Sequence, residues 1–356
     1  MKWQFWKKNN DGLEDISTGS GDESVLDKTA SLPKLIFYSL LALMIILYFI
    51  GAYWSSEPEP FVVEDTNAYQ FVQGEKKLIV GYTTVATTEK IASTLLDKPG
   101  GYLSNDIMPP SVFLDNIPSW EFGVLVQVRD IALVLRNHMS RSQSQSMENK
   151  YLKEAEPLFN NDHTLWMWPD AQNKYQKGIE KLAAYRKELG QIDNPDAQFY
   201  TRADNLNAWL ILVEKRLGGL SQRLTASVGQ VRINTDLSGD AAAHQSTENS
   251  SQLVVKTPWL EIDNIFYESR GACWALIHLL KAIEIDFEAV LEKKNAKTSL
   301  AQIIRELEAT QESIWSPIIL NGSGFGLLAN HSLVMASYIS RANAGLIDLR
   351  ELLARG

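Results

Sequence analysis

LIFYSLLALMIILYFIGAYWSS, residues 35–56, runs for 22 residues without a charged side chain. At 1.5 Å of rise per residue, a helix of that length covers about 33 Å, enough to cross a hydrocarbon core of about 30 Å. No other stretch of the 356 residues resembles a span. Working outward, Lys28 and Lys34 precede the run, with Lys2, Lys7 and Lys8 further out, whereas no Lys or Arg occurs from Ser55 to Glu75. Basic residues are retained on the cytoplasmic face, so the expected orientation is N-terminus inside and the large C-terminal part outside. A cleaved signal peptide has a shorter apolar region, about 7–15 residues, and small residues at its cleavage site. Here the run is longer, starts well into the chain and ends on bulky Tyr53 and Trp54, so the expected device is an uncleaved signal anchor. Tyr48, Tyr53 and Trp54 are placed as an aromatic belt at its outer end.

Net charge is −9, without a basic cluster outside the membrane, which argues against nucleic acid and against docking onto anionic lipid. Cys273 is the only cysteine, which excludes a small disulfide-stapled module. The expected organisation is a disordered cytoplasmic tail (1–34), the anchor (35–56), a stalk or linker (57–76) opened by Glu57-Pro-Glu-Pro60, and a helical domain (77–356). Within Met1–Lys8, Trp3, Phe5 and Trp6 with the lysines fit either an interfacial foot or an ordinary disordered start.

Beyond residue 84 the periodicity predicts helices over 84–97, stopped by Pro99-Gly-Gly101, then 119–139, and from Pro169 to Leu189. A further helix is predicted from Asp193-Asn-Pro195, and others over 297–315 and 330–354. Two seams alternate by three and four. One runs Phe199, Ala203, Leu206, Leu210, Val213, Leu217, Leu220, Leu224; the other runs Phe266, Cys273, Leu280, Phe287, with Leu276, Ile283 and Val290 between. Such a repeat keeps one face toward a partner helix. The pattern is met by pairing the two long helices antiparallel within the chain, the favoured reading, or by a homo-oligomer. Residues 230–258 form an insertion in which Val231–Thr235 and Leu253–Thr257 are two short strands around a small, polar, mobile tip. The fold class is therefore mostly α: a single N-terminal transmembrane helix, then an elongated periplasmic helical bundle with long antiparallel helices and a minor β-hairpin insertion.

Catalytic, cofactor and metal motifs are not found. His138, His163, His244, His278 and His331 show no ligand spacing, and Cys273 lies on an apolar seam. Ser31-Leu-Pro-Lys34 matches a Ser-x-x-Lys nucleophile pattern but falls at the edge of the span, outside any fold. Asp263, Glu268 and Arg270 read as a solvated face or interhelical ion pairs, and Trp166 and Trp168 as a packed helix start. Asn321-Gly-Ser-Gly-Phe-Gly326 lacks the preceding strand of a dinucleotide site and the lysine of a phosphate loop, so it reads as a tight helix-to-helix connection needing positive φ. Asn321, Gly322, Ser323, Gly324, Phe325, Asn330 and His331 are the candidate interaction loop.

Five stretches together carry a resemblance: Gly123–Asp130 (GVLVQVRD), Ser140–Ser146 (SRSQSQS), Asp193–Tyr200 (DNPDAQFY), Asn321–Gly326 (NGSGFG) and Asn330–Asn343 (NHSLVMASYISRAN). The chain resembles, from about residue 35 onward, an uncharacterised family of proteobacterial inner-membrane proteins known as domain of unknown function 2333. The resemblance implies a Gram-negative source and a periplasmic ectodomain, and transfers no catalytic residue. The expected function is a non-enzymatic, membrane-tethered scaffold or assembly factor that binds another cell-envelope protein and meets the lipid bilayer through residues 35–56. The rivals are an envelope hydrolase or transferase whose site converges from distant helices, and a ligand sensor acting through a membrane partner.

Overall fold

In the computed structural model, which describes residues 23–72, 75–142, 146–191, 197–233, 252–316 and 318–355, the uncharged run lies in one long helix, α1 (Glu23–Trp54). Within α1, Leu32–Trp54 is long and apolar enough to cross a membrane. The helix starts at Glu23 instead of Leu35, so the later part of the expected disordered tail is helical. The last glycine before the run is Gly21, and 23–32 contain neither Gly nor Pro to oppose helix formation. Residues 1–22, including the aromatic and basic Met1–Lys8, lie outside the described residues. The chain divides into two compact units, Met1–Ile50 and Gly51–Gly356.

The second unit is built on α2 (Tyr82–Asp97), α3 (Asn116–Val134, prolonged by a π turn to Met139), α4 (Lys150–Phe159), α5 (Ala171–Leu189), α6 (Ala203–Thr225), α7 (Ile262–Asp286), α8 (Glu288–Lys293), α9 (Lys297–Glu308) and α10 (His331–Ala354). α7 is the central element: every residue from Ser269 to Leu280 is buried, as expected of a helix that is apolar nearly all round. The two seams touch but are not each other's main partners. α7 packs chiefly on α3 and α6 chiefly on α10, while α2 and α9 also pack on α7. Gly123 and Gly271 explain the choice, because they let the α3 and α7 backbones touch, a closeness the bulkier α6 seam cannot offer.

α6 begins ten residues after the expected Asp193 start, and 192–196 lie outside the described residues. Its expected first turns are held extended: the Tyr200 amide donates to the Met139 carbonyl (2.7 Å) and the Tyr185 hydroxyl to the Gln198 carbonyl (2.6 Å). Among the described residues two antiparallel strand pairs complete the unit, β1 (Tyr69–Val72) with β2 (Glu75–Leu78), and β3 (Gln230–Ile233) with β4 (Gln252–Val255). The second matches the two expected strands; the tip expected to be mobile falls on 234–251, outside the described residues.

Residues 57–63, expected in an extended stalk or linker, lie along α7 as a strap. Glu57 pairs with Arg270 (Nε–Oε2 2.9 Å), Phe61 stacks on His278 with ring centroids 3.9 Å apart, and Val63 is buried. The Phe61 amide donates to His278 Nε2 (3.0 Å), so Nδ1 carries the imidazole proton and donates to the Trp274 carbonyl (2.7 Å). The prolines keep the strap extended, and its apolar residues find an open α7 face.

Burial, helped by the charges of Lys281 and Lys90, pushes the His278 imidazole down to about 4. In the unfolded or detached strap it protonates near 6.5. Between these values the open state binds the extra proton, so attachment is full above about 6.5 and weakens as pH falls toward 4. Asp286, whose carboxyl burial pushes up to about 6, titrates over an overlapping range with the opposite sign. The comparison is therefore wild type against His278→Gln. Amide exchange protection of residues 57–63, corrected for intrinsic rates, is expected to fall up to about tenfold per pH unit in wild type relative to the variant. Parallel profiles would refute the coupling.

Candidate functional site

The Asn321–Asn330 loop is a tight hairpin on a rigid neck. Asn321 and Asn330 form an antiparallel bridge, and the Gly322 amide donates to the Ala329 carbonyl (2.9 Å). Asn330 Oδ1 caps α10 by accepting from the Leu333 amide (2.8 Å), while its Nδ2 donates to Asn321 Oδ1 (2.8 Å) and the Gly322 carbonyl (2.6 Å). Asn321 Nδ2 ties the neck to the Ser227 carbonyl (3.1 Å). A Cβ at Gly322 would lie 2.0 Å from the Leu328 carbonyl oxygen, and Gly324 has φ +83°, so both glycines are required by the turn itself. The neck lifts Phe325, Leu327 and Leu328 into solvent; the first two are fully exposed.

Beside the neck, α7, the 309–316 segment and the first turns of α10 enclose an open groove of about 450 Å³. Its lining is mainly apolar: Phe266 from α7, Ile314 and Trp315 from the connecting segment, and Val334, Met335 and Tyr338 from α10. Trp315 stands on the rim with 95 % of its surface exposed. His331, the first residue of α10, also lines the groove; Nδ1 accepts from the Leu320 amide (3.2 Å), which puts the neutral ring's proton on Nε2, and partial burial lowers its pKa. Arg270 reaches the groove but is spent on structure. It pairs with Glu57 and donates through Nη1 to the carbonyls of Thr310 (3.1 Å) and Glu312 (2.8 Å).

Of the candidate loop, the structure therefore brings Asn321, Gly322 and Asn330 together as a framework and puts His331 in the groove. Ser323, Gly324 and Phe325 form the tip. The groove itself had no signature in the sequence: Phe266, Met335 and Trp315 come from three separated segments. The other singled-out residues lie elsewhere. Glu268 pairs with Arg223 (Oε2–Nη1 2.8 Å), and Asp263, near Asp115, has its carboxyl raised chiefly by burial. Burial pushes the Cys273 thiol up to about 12, which leaves it protonated. His138 is exposed, His163 half-buried, His278 in the core and His244 outside the described residues. Trp166 and Trp168 are not a packed helix start: they are 55 % and 82 % exposed, because Asp170 caps α5 without them and Ala171 is the residue buried there. Among the described residues no group of His, Cys, Asp and Glu is arranged to hold a metal ion.

No curated protein and no solved structure matches the chain. A family model described as an uncharacterised protein conserved in bacteria does match it, over residues 29–356. That match spans nearly the whole chain, including most of α1, and the chain belongs to this bacterial family, domain of unknown function 2333.

Proposed function

We propose that the protein is a single-pass anchor of the bacterial inner membrane whose helical body, on the periplasmic side, binds another cell-envelope protein as a scaffold or assembly factor. The observation that carries this reading is the apolar groove with Trp315 raised on its rim, next to His331 and the neck of the loop that exposes Phe325 and Leu327. Exposed Trp315, Phe325 and Leu327 beside a concave apolar surface are the composition of an anchor-and-pocket protein contact, in which large apolar residues dominate affinity. The occupant that fits is an apolar helix face or extended segment of a second protein. The strap supports a membrane-proximal partner, because Glu57, which holds the groove's Arg270, lies three residues beyond Trp54. The basic flank before the span, with no Lys or Arg from Ser55 to Glu75 after it, supports this direction.

Photo-crosslinking in living cells from positions 315 and 325 is the test, with exposed Ala289 in α8 as control. The expected result is one reproducible envelope protein captured from both positions and not from the control. Combined Trp315→Ser and Phe325→Ser is expected to abolish co-purification of that protein while changing unfolding stability by less than about 0.5 kcal/mol, since both side chains are exposed. Capture of no protein from either position, or hydrolysis of cell-wall or lipid-linked precursors that a single side-chain change stops, would overturn the reading.

A further inference from the structure

A second set of apolar side chains stands out from loops on a different part of the body, around the place where its chain begins. Gly51 and Trp54 are the body's first residues. A Cβ at Gly51 would sit 3.4 Å from the Pro110 side chain and 3.6 Å from Leu114, and the Trp54 ring lies against Gly100. The 98–114 loop that receives them exposes Met108 (66 %) and Phe113 (77 %). Asn105 Nδ2 donates to the Leu165 carbonyl (3.1 Å), which binds this loop to the next, where Trp166 and Trp168 project. Ser104, Pro118, His163 and Glu261 line one shallow depression, so the turn before α7 borders the same surface with Trp259 and Leu260 exposed.

Three loops thus hold tryptophan, methionine, phenylalanine and leucine outward near Gly51 and Trp54, which belong to the last turn of Leu32–Trp54. We infer that this face rests on the bilayer that Leu32–Trp54 crosses, with its side chains in the interfacial layer between headgroups and acyl chains. Three observations select lipid over a protein partner. The side chains stand on three separate loops around a shallow depression whose lining includes Ser104, Ser119, His163, Thr164 and Glu261, a shape suited to a deformable medium. Tryptophan is the residue that favours the interfacial layer. The face is also continuous with the chain's exit from the candidate span, so tethering alone holds it near the membrane surface. Charge defines the lipid. Residues 104–119, 160–172 and 257–263 contain no Lys or Arg, with the exposed Lys256 the one cation at the start of the third loop, while Asp106, Asp115, Asp162, Asp170 and Glu261 flank the tips. Contact is through apolar insertion, not through anionic headgroups, and is insensitive to salt.

The inference rests on the span being real, and the experiment separates the two. Full-length protein is placed in phosphatidylcholine nanodiscs containing lipids with a quencher at headgroup depth. An environment-sensitive probe is attached singly through Phe113→Cys, Trp168→Cys, Leu43→Cys or Ala289→Cys. Native Cys273 is fully buried with a raised pKa and stays unlabelled. Ala289 follows the far end of α7, roughly 36 Å from its first turn. The expected result is loss of most fluorescence, with a blue shift, at 113 and 168, and neither at 289. The loss persists at high salt and when phosphatidylglycerol is added. Probes at 113 and 168 that behave like 289 while the probe at 43 reports lipid would overturn the resting face and leave the anchor standing. A probe at 43 that reports no lipid, from quenchers at any depth, would overturn both. Quenching at 113 and 168 only in anionic discs would refute the apolar assignment.

Discussion

Gly271→Ala is expected to cost about 3 kcal/mol of unfolding free energy, and Gly271→Val to leave the body unfolded at physiological temperature. A Cβ at Gly271 would lie 2.1 Å from the Trp120 carbonyl oxygen, and one at Gly123 would lie 2.0 Å from the Glu268 carbonyl oxygen and 2.8 Å from the Ala272 amide nitrogen. These neighbours are backbone, so relief requires α3 and α7 to move apart. They cannot separate cheaply, because Trp120 and Trp274 meet beside the crossing with ring centroids 5.3 Å apart and almost no exposed surface. Overpacking a core costs about 1–3 kcal/mol, and the upper end applies where the obstacle is main chain in the most extensive helix contact of the unit. Gly219 supplies the control. It lies in α6, where a Cβ would meet nothing within 4 Å, so Gly219→Ala is expected to stabilise by about 0.5–1 kcal/mol through helix propensity. Thermal unfolding of the full-length chain followed by circular dichroism checks both signs. A Gly271→Ala variant as stable as wild type would show that the two backbones do not meet there.

What the sequence disclosed and what it withheld follow the range of the interactions involved. The candidate span, a helix long and apolar enough to cross a membrane, was legible because it depends on one contiguous property, the uncharged run over Leu35–Ser56, which no distant residue can alter. Helix limits were legible where local chemistry sets them: Pro99-Gly-Gly101 ends α2 at Asp97, and Asn330 caps α10. They were misread where tertiary contacts override local signals, as with Asp193-Asn-Pro195, followed by residues that Met139 and Tyr185 hold extended. Seams showed that α6 and α7 each need a partner but not which one, since the 3–4 alternation describes one helix's face and says nothing of the opposing glycines. The candidate loop was visible through its glycines, whereas the groove beside it depends on Phe266, Trp315 and Met335 converging from 70 residues of chain. The strap was hidden for a related reason: Glu57-Pro-Glu-Pro60 predicts extension, but an extended segment can be free or bound, and only α7's open face decides.

Glu121→Gln is expected to cost about 3–5 kcal/mol, the second of the two largest effects, from a pair of charges the sequence did not mark. Lys98 Nζ lies 2.6 Å from Glu121 Oε1, and neither side chain has any exposed surface. Glu121 also organises the turn after α2: Oε1 accepts from the Leu103 amide (2.8 Å), and Oε2 accepts from the Ser104 amide (2.8 Å) and the Ser104 hydroxyl. Lys98 in turn donates to the Gly101 carbonyl. Removing one buried charge strands the other, which is why breaking such a pair costs more than the pair contributes. Lys98→Met is expected to be costly for the same reason but less so, because the remaining carboxylate keeps three hydrogen-bond donors. The double variant Lys98→Met with Glu121→Leu tests the account most sharply. If charge pairing were the whole role of Glu121, its cost would approach zero, as buried pairs replaced by apolar residues commonly show. Because the Leu103 and Ser104 amides are left without acceptors, the double variant is expected instead to remain about 2 kcal/mol or more below wild type. Its loss should fall well short of the sum of the losses of Lys98→Met and Glu121→Leu made singly, the mark of coupled neighbours. The same turn receives Trp54 and leads into the loop bearing Met108 and Phe113. Weakening it should therefore raise amide exchange over residues 98–114 before any other part of the body opens; exchange rising first in α10 would place the role of Glu121 elsewhere.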